Sequence, residues 1–400
     1  MDKIDHIFDS AIGNNLFKDK SVLQSNHSPD NIPHREEQIQ TVASILAPAL
    51  RGDKVSNLFI YGKTGTGKTI SVQKVINRMK DKLAQVGQQG NIKFLYVNCK
   101  MKKVADTEYR IIAELIKQLK SSVPVTGLPT DFVYNKFTEL IDDRKQLILI
   151  VLDEIDQAVK KIDDNFIYSL TRMNSELRNA QISIIGISNS LTFMDHLDPR
   201  VRSSLGEEEL VFPPYNALQL QDILKERAEK AFKGNVLEDG VISKCAAFAA
   251  REHGDARRAL DLMRVAGELA ERCGEKNIKL KHIDEANQKI ERDKMLDIIE
   301  SEPSQFQLVL AAILSLSRKG EQMFTGEVFN EYDEICRKTK NETLTQRRVS
   351  DILAEYDMLG IINTHVISKG RGGRTREIKL MLNDSIKHKA DEILRDSLGY

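Results

Sequence analysis

The chain has 400 residues, 41% of them hydrophobic and 6% aromatic, which is enough apolar material for roughly two to four domain cores. The 59 Lys and Arg residues balance the 59 Asp and Glu residues, so the protein is neither a uniformly basic nucleic-acid coat nor a polyacid, and any nucleic-acid surface must be local. No aliphatic run approaches the ~20 residues of a membrane span, the first ten residues lack a signal core, and the four cysteines lack zinc-ligand spacing, so we expect a soluble, unsecreted protein without zinc or disulfides.

The first thirty residues are polar with few apolar groups, which predicts a loosely held leader (residues 1–30) and folded structure from about Pro33 onward. From there to Phe212, short apolar runs alternate with segments of helical periodicity. The predicted strands are residues 57–61, 93–98, 146–152, 182–188 and 208–212. Because continuously apolar strands separated by helices belong to parallel sheets covered on both faces, residues 31–214 are predicted to form an α/β domain around a five-stranded parallel sheet.

The remainder of the chain is predicted to form two further domains. Pro213 and Pro214 interrupt regular structure, and residues 215–298 carry helical periodicity with few β-branched runs, which predicts a small all-helical domain. Pro303 marks the next boundary. Residues 303–400 then predict three helices (305–316, 326–338 and 345–359) and two strands (361–367 and 375–380) joined by a Gly- and Arg-rich tip. This order of elements predicts a winged helix-turn-helix.

Residues 62–69 fit the pattern GxxxxGK[ST] between a predicted strand and a predicted helix, which is the context that a phosphate-binding P-loop requires. Glycines let backbone amides turn toward phosphate oxygens at the N-terminus of a helix. In this interpretation Lys68 holds the β- and γ-phosphates and Thr69 places its hydroxyl on Mg²⁺. The alternative is a Gly-rich turn that matches the pattern by chance.

Polar side chains also end the next two core strands. Asp153 and Glu154 follow the most apolar run of the chain, as in a Walker B strand, where the first carboxylate meets Mg²⁺ and the second orients the attacking water. Asp156 is expected to cap the following helix. Asn189 ends the next strand, where its amide could contact the γ-phosphate or the water. The alternatives are a surface acidic turn and an ordinary Asn-Ser turn.

One segment of the last domain has a local excess of basic residues, although the whole chain has no net charge. Thr345 is a candidate N-cap for a helix whose apolar spacing leaves Gln346, Arg347 and Ser350 near the outward N-terminal face, where recognition helices meet the major groove. The predicted hairpin contains one acidic residue, Glu377, and five basic residues: Lys369, Arg371, Arg374, Arg376 and Lys379. We interpret this segment as a DNA-binding wing. A solvated mobile hairpin and a protein-docking winged helix are the alternatives.

The P-loop, the Walker B strand and the strand that ends in Asn189, followed by a helical domain that contains residues 254–258, resemble an AAA+ ATPase. Further stretches are similar to the archaeal origin-recognition initiators, relatives of the eukaryotic origin recognition complex and of the helicase-loading cell-division-control factor. They are residues 32–38, 96–99, 106–110, 197–204 and 212–215. The resemblance covers about residues 30–395 and implies an AAA+ core, a helical lid (215–298) and a C-terminal winged helix (303–400).

The resemblance also implies roles for individual residues. Asn189 is sensor 1, Arg257 or its neighbour Arg258 is sensor 2, and Arg200 or Arg202 is the arginine finger offered to a neighbouring subunit's nucleotide. The implied nucleotide-binding set is Ile32, Pro33, Arg35, Thr64, Gly65, Thr66, Gly67, Lys68, Thr69, Ile70, Tyr215, Arg227 and Arg257, with Pro33 and Arg35 on the adenine side. Residues 100–105, with Lys102 and Lys103 touching phosphates and Met101 or Val104 pressing on a sugar or base step, occupy the place of an initiator-specific DNA-contacting insertion.

The function implied is an ATP- and Mg²⁺-dependent replication initiator in the cytoplasm, associated with the nucleoid. Its expected partners are double-stranded origin DNA, the minichromosome-maintenance helicase and paralogous initiator subunits, with no membrane partner. Slow ATP hydrolysis, completed by a finger in trans, would act as a switch. Two other hypotheses stay open: a DNA-binding transcriptional or checkpoint regulator with a mainly structural ATP site, and a clamp-loader-like or mobile-element ATPase.

Overall fold

The computed structural model describes residues 15–24, 27, 29–87, 91–101, 105–124, 127–205, 207–320, 322–368 and 374–399. The chain forms two compact units, Met1–Ile283 and Asp284–Tyr400. Within the described residues, no helix has both the length and the apolar character that a bilayer crossing requires.

The first unit is built around the predicted parallel sheet. Its strands are β1 (Leu58–Tyr61), β2 (Ile92–Asn98), β3 (Leu147–Asp153), β4 (Gln181–Ser188) and β5 (Glu208–Val211). Their spatial order is β2-β3-β4-β1-β5, and every pair is parallel. The prediction of a five-stranded parallel sheet is confirmed.

Both faces of the sheet are buried, as the aliphatic run of β3 predicts. All seven β3 residues are buried. Ile148, Ile150 and Leu152 pack into one apolar cluster, and Leu147, Leu149 and Val151 into another. Since successive side chains of a strand point to opposite faces, a strand covered on both sides must be apolar throughout.

Helices cover the sheet on both sides. Those of the α/β part are α1 (Glu36–Leu46), α2 (Lys68–Gln85), α3 (Glu108–Gln118), α4 (Thr130–Ile141), α5 (Ile155–Ile162), α6 (Asn165–Arg172) and α7 (Pro199–Leu205). Short 3₁₀ helices occupy Lys20–Leu23, Ala47–Arg51, Met173–Ser175 and Phe193–His196.

The helical lid follows β5, as predicted. Its helices are α8 (Ala217–Ala231), α9 (Val241–Arg251), α10 (Ala256–Arg272) and α11 (Leu280–Ser301), the last of which continues into the second unit. Asn216 starts α8 with a capping box: its side chain accepts from the Gln219 amide at 2.9 Å, and the Gln219 side chain accepts from the Asn216 amide at 3.0 Å. These reciprocal bonds satisfy two amides that a helix start otherwise leaves unpaired.

Part of the leader packs against the lid, so the expectation of a loosely held segment is wrong for residues 15–24. Leu16, Phe17 and Leu23 are buried. The Phe17 ring stacks on Phe232 with 4.8 Å between centroids. A Cβ at Gly267 would lie 2.5 Å from the Phe17 ring, so this lid glycine makes room for the leader. The few apolar residues of the leader pack into a groove that only the folded lid forms. Local composition therefore does not predict this contact.

The second unit is a winged helix, as predicted. It contains α12 (Ser304–Lys319), β6 (Met323–Phe324), α13 (Thr325–Thr339), α14 (Gln346–Met358), β7 (Ile362–Ser368), β8 (Arg374–Leu380) and α15 (Asp384–Leu398). The strands form an antiparallel sheet in the order β6-β8-β7. Sequence reasoning missed β6 and α15. The signal for α15 was present, because Ile386, Ala390 and Leu394 recur at the four-residue spacing of a helix face and are buried in the core of this unit.

Candidate functional site

The GxxxxGK[ST] segment forms a loop between β1 and α2 at the carboxyl edge of the sheet. Gly65 and Gly67 have left-handed backbones with φ of 70° and 90°, which only glycine adopts at little cost. Helix α2 begins at Lys68, whose Nζ donates to Gly62 O at 2.7 Å, to Lys63 O at 2.8 Å and to Asn189 Oδ1 at 2.9 Å. Burial lowers the pKa of the Lys68 ammonium to about 8.

The predicted acid pair lies beside this loop. Asp153 is the last residue of β3, and its carboxylate accepts from Thr69 Oγ1 at 3.0 Å and from Tyr96 OH at 2.6 Å. Glu154 follows in a left-handed conformation with φ 54°, and its amide donates to Asp153 Oδ1 at 3.0 Å. Lys100 Nζ, at the start of the predicted insertion, lies 3.8 Å from Glu154 Oε2.

Tyr96 is a member of this group that sequence reasoning missed. It lies on β2 opposite Val151 of β3, two residues before Asp153, so its side chain shares a face with that carboxylate. Burial and the Asp153 carboxylate raise the pKa of Tyr96 above its usual value, so the phenol stays a donor. The available signal was its place two residues before the carboxyl end of a predicted strand.

Asp156 does not cap the helix as expected. The N-cap of α5 is Glu154, without a side-chain cap bond. Asp156 lies in the first turn, is buried, and accepts from Ser188 Oγ at 3.0 Å and from the Asn189 amide at 3.2 Å. It therefore holds the end of β4, where Asn189 projects toward Lys68. The left-handed turn at Glu154 shifts the helix start by two residues from the predicted cap, and short-range patterns do not encode that turn.

The start of α10 brings the lid to the P-loop. Asp255 caps this helix by accepting from the amides of Arg257 at 2.8 Å and Arg258 at 3.3 Å. Arg257 lines the cleft beside the P-loop, whereas Arg258 forms an ion pair with Glu252, Nε to Oε2 3.2 Å. Of the two candidate sensor 2 arginines, Arg257 is the one that the structure places in the cleft.

These groups surround one cleft of about 920 Å³, including the space open to solvent. Most of the predicted nucleotide-binding residues line it: Ile32, Pro33, Gly65, Thr66, Gly67, Lys68, Thr69, Ile70, Tyr215, Arg227 and Arg257, together with Asp153, Glu154 and Asn189. Sequence reasoning missed the lining residues Gln24, His27, Pro29, Asn31, Ile223, Glu226, Ala256 and Leu260. Apart from Asn31, and from Ala256 within the stretch 254–258, they belong to the leader and to lid helices, where no motif marks them.

Four predicted residues lie outside the cleft lining. Thr64 is exposed. Arg35 is buried and donates to the Thr66 carbonyl at 2.7 Å. The two candidate finger residues are exposed on α7, where Arg200 pairs with Asp198 (Nε to Oδ1 3.0 Å) and Arg202 with Asp195 (Nη1 to Oδ1 3.6 Å).

Arg227 is a buried cation in the cleft wall. Its side chain projects from α8 and is 7% exposed. Nη1 has no hydrogen-bond partner among the described residues. Burial lowers the pKa of this guanidinium. A buried donor without a partner is costly in free energy, so this group favours an oxygen-rich ligand in the cleft.

The predicted DNA-contacting residues of α14 in the second unit are exposed or half-buried. Gln346 and Arg347 are exposed and Ser350 is half-buried. Arg376 on β8 is half-buried, and its Nη1 donates to Ser350 O at 3.5 Å. The wing is thus joined to the helix beside the predicted contact face.

Other predicted contacts are not described. Lys369 and Arg371 at the wing tip, and Lys102, Lys103 and Val104 in the insertion, lie outside the described residues. Arg374 begins β8, but its side chain is outside the described part of the chain.

Comparison with protein families matches three segments of the chain. Residues 53–194 match the AAA domain, residues 221–288 match the Cdc6 AAA+ ATPase-type lid domain, and residues 297–390 match the CDC6 C terminal winged helix domain.

Known proteins resemble almost the whole chain. An ORC1-type DNA replication protein of Pyrococcus horikoshii is 51% identical over 385 residues, covering 94% of this chain and 90% of its own. ORC1-type DNA replication protein 1 of Archaeoglobus fulgidus is 47% identical over 388 residues, covering 97% and 93%. The Aeropyrum pernix ORC1 protein, solved in complex with DNA, is 42% identical with a TM-score of 0.83, covering 95% of this chain and 97% of its own.

Proposed function

This chain belongs to the family of ORC1-type DNA replication proteins, and we propose that it is an ATP-dependent initiator that binds origin DNA. The observation that carries the proposal is the convergence of Lys68, Asp153, Glu154, Asn189 and the lid residue Arg257 on one cleft. These groups come from the start of α2, the ends of β3 and β4, and one lid helix, and their assembly suits a bound nucleoside triphosphate.

The donors of the cleft fit a nucleotide and Mg²⁺. Thr69 Oγ1 and the Asp153 carboxylate are hard oxygen ligands 3.0 Å apart, the chemistry that Mg²⁺ prefers. When bound, Mg²⁺ would neutralise phosphate charge. Lys68 and Arg257 would bring cations to the phosphates, and Glu154 would accept a proton from the attacking water. Ile32, Pro33, Tyr215 and Arg227 would bind the nucleoside side.

Hydrolysis in this proposal is slow and serves as a switch. Arg200 and Arg202 are exposed and outside the cleft of their own chain, which suits a finger offered to the nucleotide of a paralogous or identical subunit. A finger in trans supplies transition-state charge that an isolated subunit lacks. We therefore expect single subunits to bind ATP well and to hydrolyse it slowly.

The winged helix is the proposed main DNA contact. Arg347 and Gln346 would meet base edges and Arg376, Lys369 and Arg371 the backbone. Lys102 and Lys103 of the insertion would add a second phosphate contact. The related Aeropyrum pernix ORC1 protein was solved in complex with DNA, which supports DNA binding by this chain. Origin binding would then recruit the minichromosome-maintenance helicase at the nucleoid.

Substitutions in the cleft test the proposed nucleotide roles. Glu154→Gln should retain ATP binding and lower hydrolysis by about 100-fold or more, because it removes only the general base. Lys68→Ala should weaken ATP binding as well. Lys54→Ala is the matched control, since Lys54 is exposed and outside the cleft lining. ATP hydrolysis at the parental rate in Glu154→Gln and Lys68→Ala would refute these roles.

A genome-wide footprint tests the initiator function. We expect a few sharp sites at replication start points in wild type, and weaker sites in an Arg347→Ala, Arg376→Ala protein. Arg337→Ala is the control, because Arg337 is an exposed arginine of the same unit that pairs with Asp333. Many promoter sites, or no localised sites, would instead favour the regulator or the loader hypothesis.

A further inference from the structure

Arg35 joins the P-loop to the connection between β5 and the lid, which we call the lid connection (residues 212–215). Its Nε donates to Thr66 O of the P-loop at 2.7 Å, and its Nη2 donates to Pro213 O of the lid connection. The guanidinium also lies over the Tyr215 ring, 3.8 Å from the centroid. One planar group therefore contacts both segments at once.

Burying the Arg35 guanidinium costs free energy, which indicates that its hydrogen bonds have a structural role. Arg35 is 2% exposed, and burial lowers the pKa of its guanidinium. No carboxylate of the described residues forms an ion pair with it, and its third acceptor is the neighbouring His34 carbonyl at 3.0 Å. An apolar side chain would fill the same space without desolvating a charge. A guanidinium offers what such a side chain lacks, a rigid fork that holds two carbonyls in a set geometry.

A second set of contacts closes a ring between the same segments. The Tyr215 amide donates to Gly254 O at 3.3 Å, just before α10. At the start of α10, the Ala256 amide donates to Gly65 O of the P-loop at 3.2 Å. The P-loop thus contacts the lid connection through Arg35 and the lid helix through Gly65. A movement of Thr66 relative to Pro213 would strain both sets of contacts.

His34 extends this arrangement to the first lid helix. Its backbone is left-handed, with φ 61°, and its Nε2 lies 3.1 Å from Asp222 Oδ2 on α8. Adjacent residues therefore contact the P-loop, the lid connection and α8.

We propose that Arg35 is a positioning residue that couples the conformation of the P-loop to that of the lid. The proposal rests on nucleotide binding in the cleft: phosphates held by the P-loop amides would set the position of Thr66 O, and the guanidinium would transmit that position to Pro213 O. Arg35 itself lies outside the cleft lining. By linkage, lid closure would strengthen nucleotide binding by the same factor.

Hydrogen exchange of the lid with and without ADP tests the coupling. In wild type, saturating ADP should slow exchange in the first two turns of α8 and the first turn of α10 on the order of tenfold, within the usual range of allosteric coupling. Arg35→Met should bind ADP but lose most of this slowing at α8. Arg35→Lys keeps the charge without the fork and should also lose most of it. Arg51→Met makes the same chemical change at an exposed ion pair and should behave as wild type.

Each outcome decides the proposal. Parental slowing at α8 in Arg35→Lys or Arg35→Met at saturating ADP would overturn it, even if both variants were less stable. Loss of ADP binding in both Arg35 variants would show that Arg35 maintains the P-loop itself, which also overturns coupling. A wild type that binds no ADP would instead contradict the proposed function.

Discussion

Replacing Gly65 with alanine should disrupt the contact between the P-loop and the start of α10. Gly65 has φ 70°, and a Cβ there would lie 1.7 Å from Asp255 Oδ1. Atoms cannot approach so closely, so either Asp255 or the loop must move. Gly52 is a matched control, because its φ is 84° and nothing lies within 4 Å of an added Cβ.

Both substitutions carry the free-energy cost of a left-handed alanine, and only Gly65→Ala also loses hydrogen bonds at the start of α10. A left-handed alanine costs about 1 kcal/mol relative to glycine at either position. At Gly65, displacing Asp255 also removes the α10 cap, which contributes about 1 kcal/mol. The bond from the Ala256 amide to Gly65 O is lost as well, at about 1 kcal/mol. Gly65→Ala should therefore destabilise the contact between the P-loop and the start of α10 by about 2 kcal/mol more than Gly52→Ala does.

Hydrogen exchange at the first turn of α10 measures this difference directly. A loss of about 2 kcal/mol corresponds to roughly 30-fold faster exchange, which we expect for Gly65→Ala and not for Gly52→Ala. Adding Asp255→Ser should restore part of the protection, because serine keeps a cap oxygen on a shorter side chain. If Gly65→Ala and Gly52→Ala exchanged α10 amides at equal rates, the steric argument would be wrong.

Three further predictions concern other parts of the chain. Tyr96→Phe removes a hydrogen-bond donor to the Asp153 carboxylate. Because the loss of a metal ligand's hydrogen-bond partner typically weakens metal binding, the Mg²⁺ concentration that half-saturates ATP hydrolysis should rise by about tenfold. An unchanged Mg²⁺ titration would contradict this. Phe17→Ala removes the ring stacked on Phe232 and should lower the stability of the packed leader by about 3 kcal/mol or more. Limited proteolysis should therefore cut within residues 15–24 faster than in wild type. Equal cleavage rates would refute the packing argument. Thr345→Ala removes the α14 N-cap and should weaken hydrogen-exchange protection of its first turn by about 1 kcal/mol, whereas Thr345→Ser should retain it.

The sequence predicted the parts of the fold that short segments encode. Residues 147–152 are apolar at every position because β3 is covered on both faces. The glycines of residues 62–67 are required by the local backbone of the loop. Because the strand ends were predicted to within two residues, Lys68, Asp153 and Asn189 could be assigned to one edge of the sheet from local patterns alone.

Contacts between distant segments could not be predicted in this way. The leader lines the cleft because Phe17 meets Phe232 and Gly267, more than 200 positions away in the chain. Tyr96 contacts Asp153 only because β2 pairs with β3 in one particular register. Neither contact leaves a periodic signal in the local sequence.

Arg35 shows most clearly what the sequence predicts and what only the tertiary structure decides. The resemblance to the origin-recognition initiators implied that residues 32–38 lie on the adenine side and that Arg35 contacts the nucleotide. In the folded chain, the Arg35 guanidinium donates to the carbonyls of Thr66 and Pro213. A motif determines which side chain is present, but the partners of a long, flexible cation depend on which backbone groups the fold leaves within its reach.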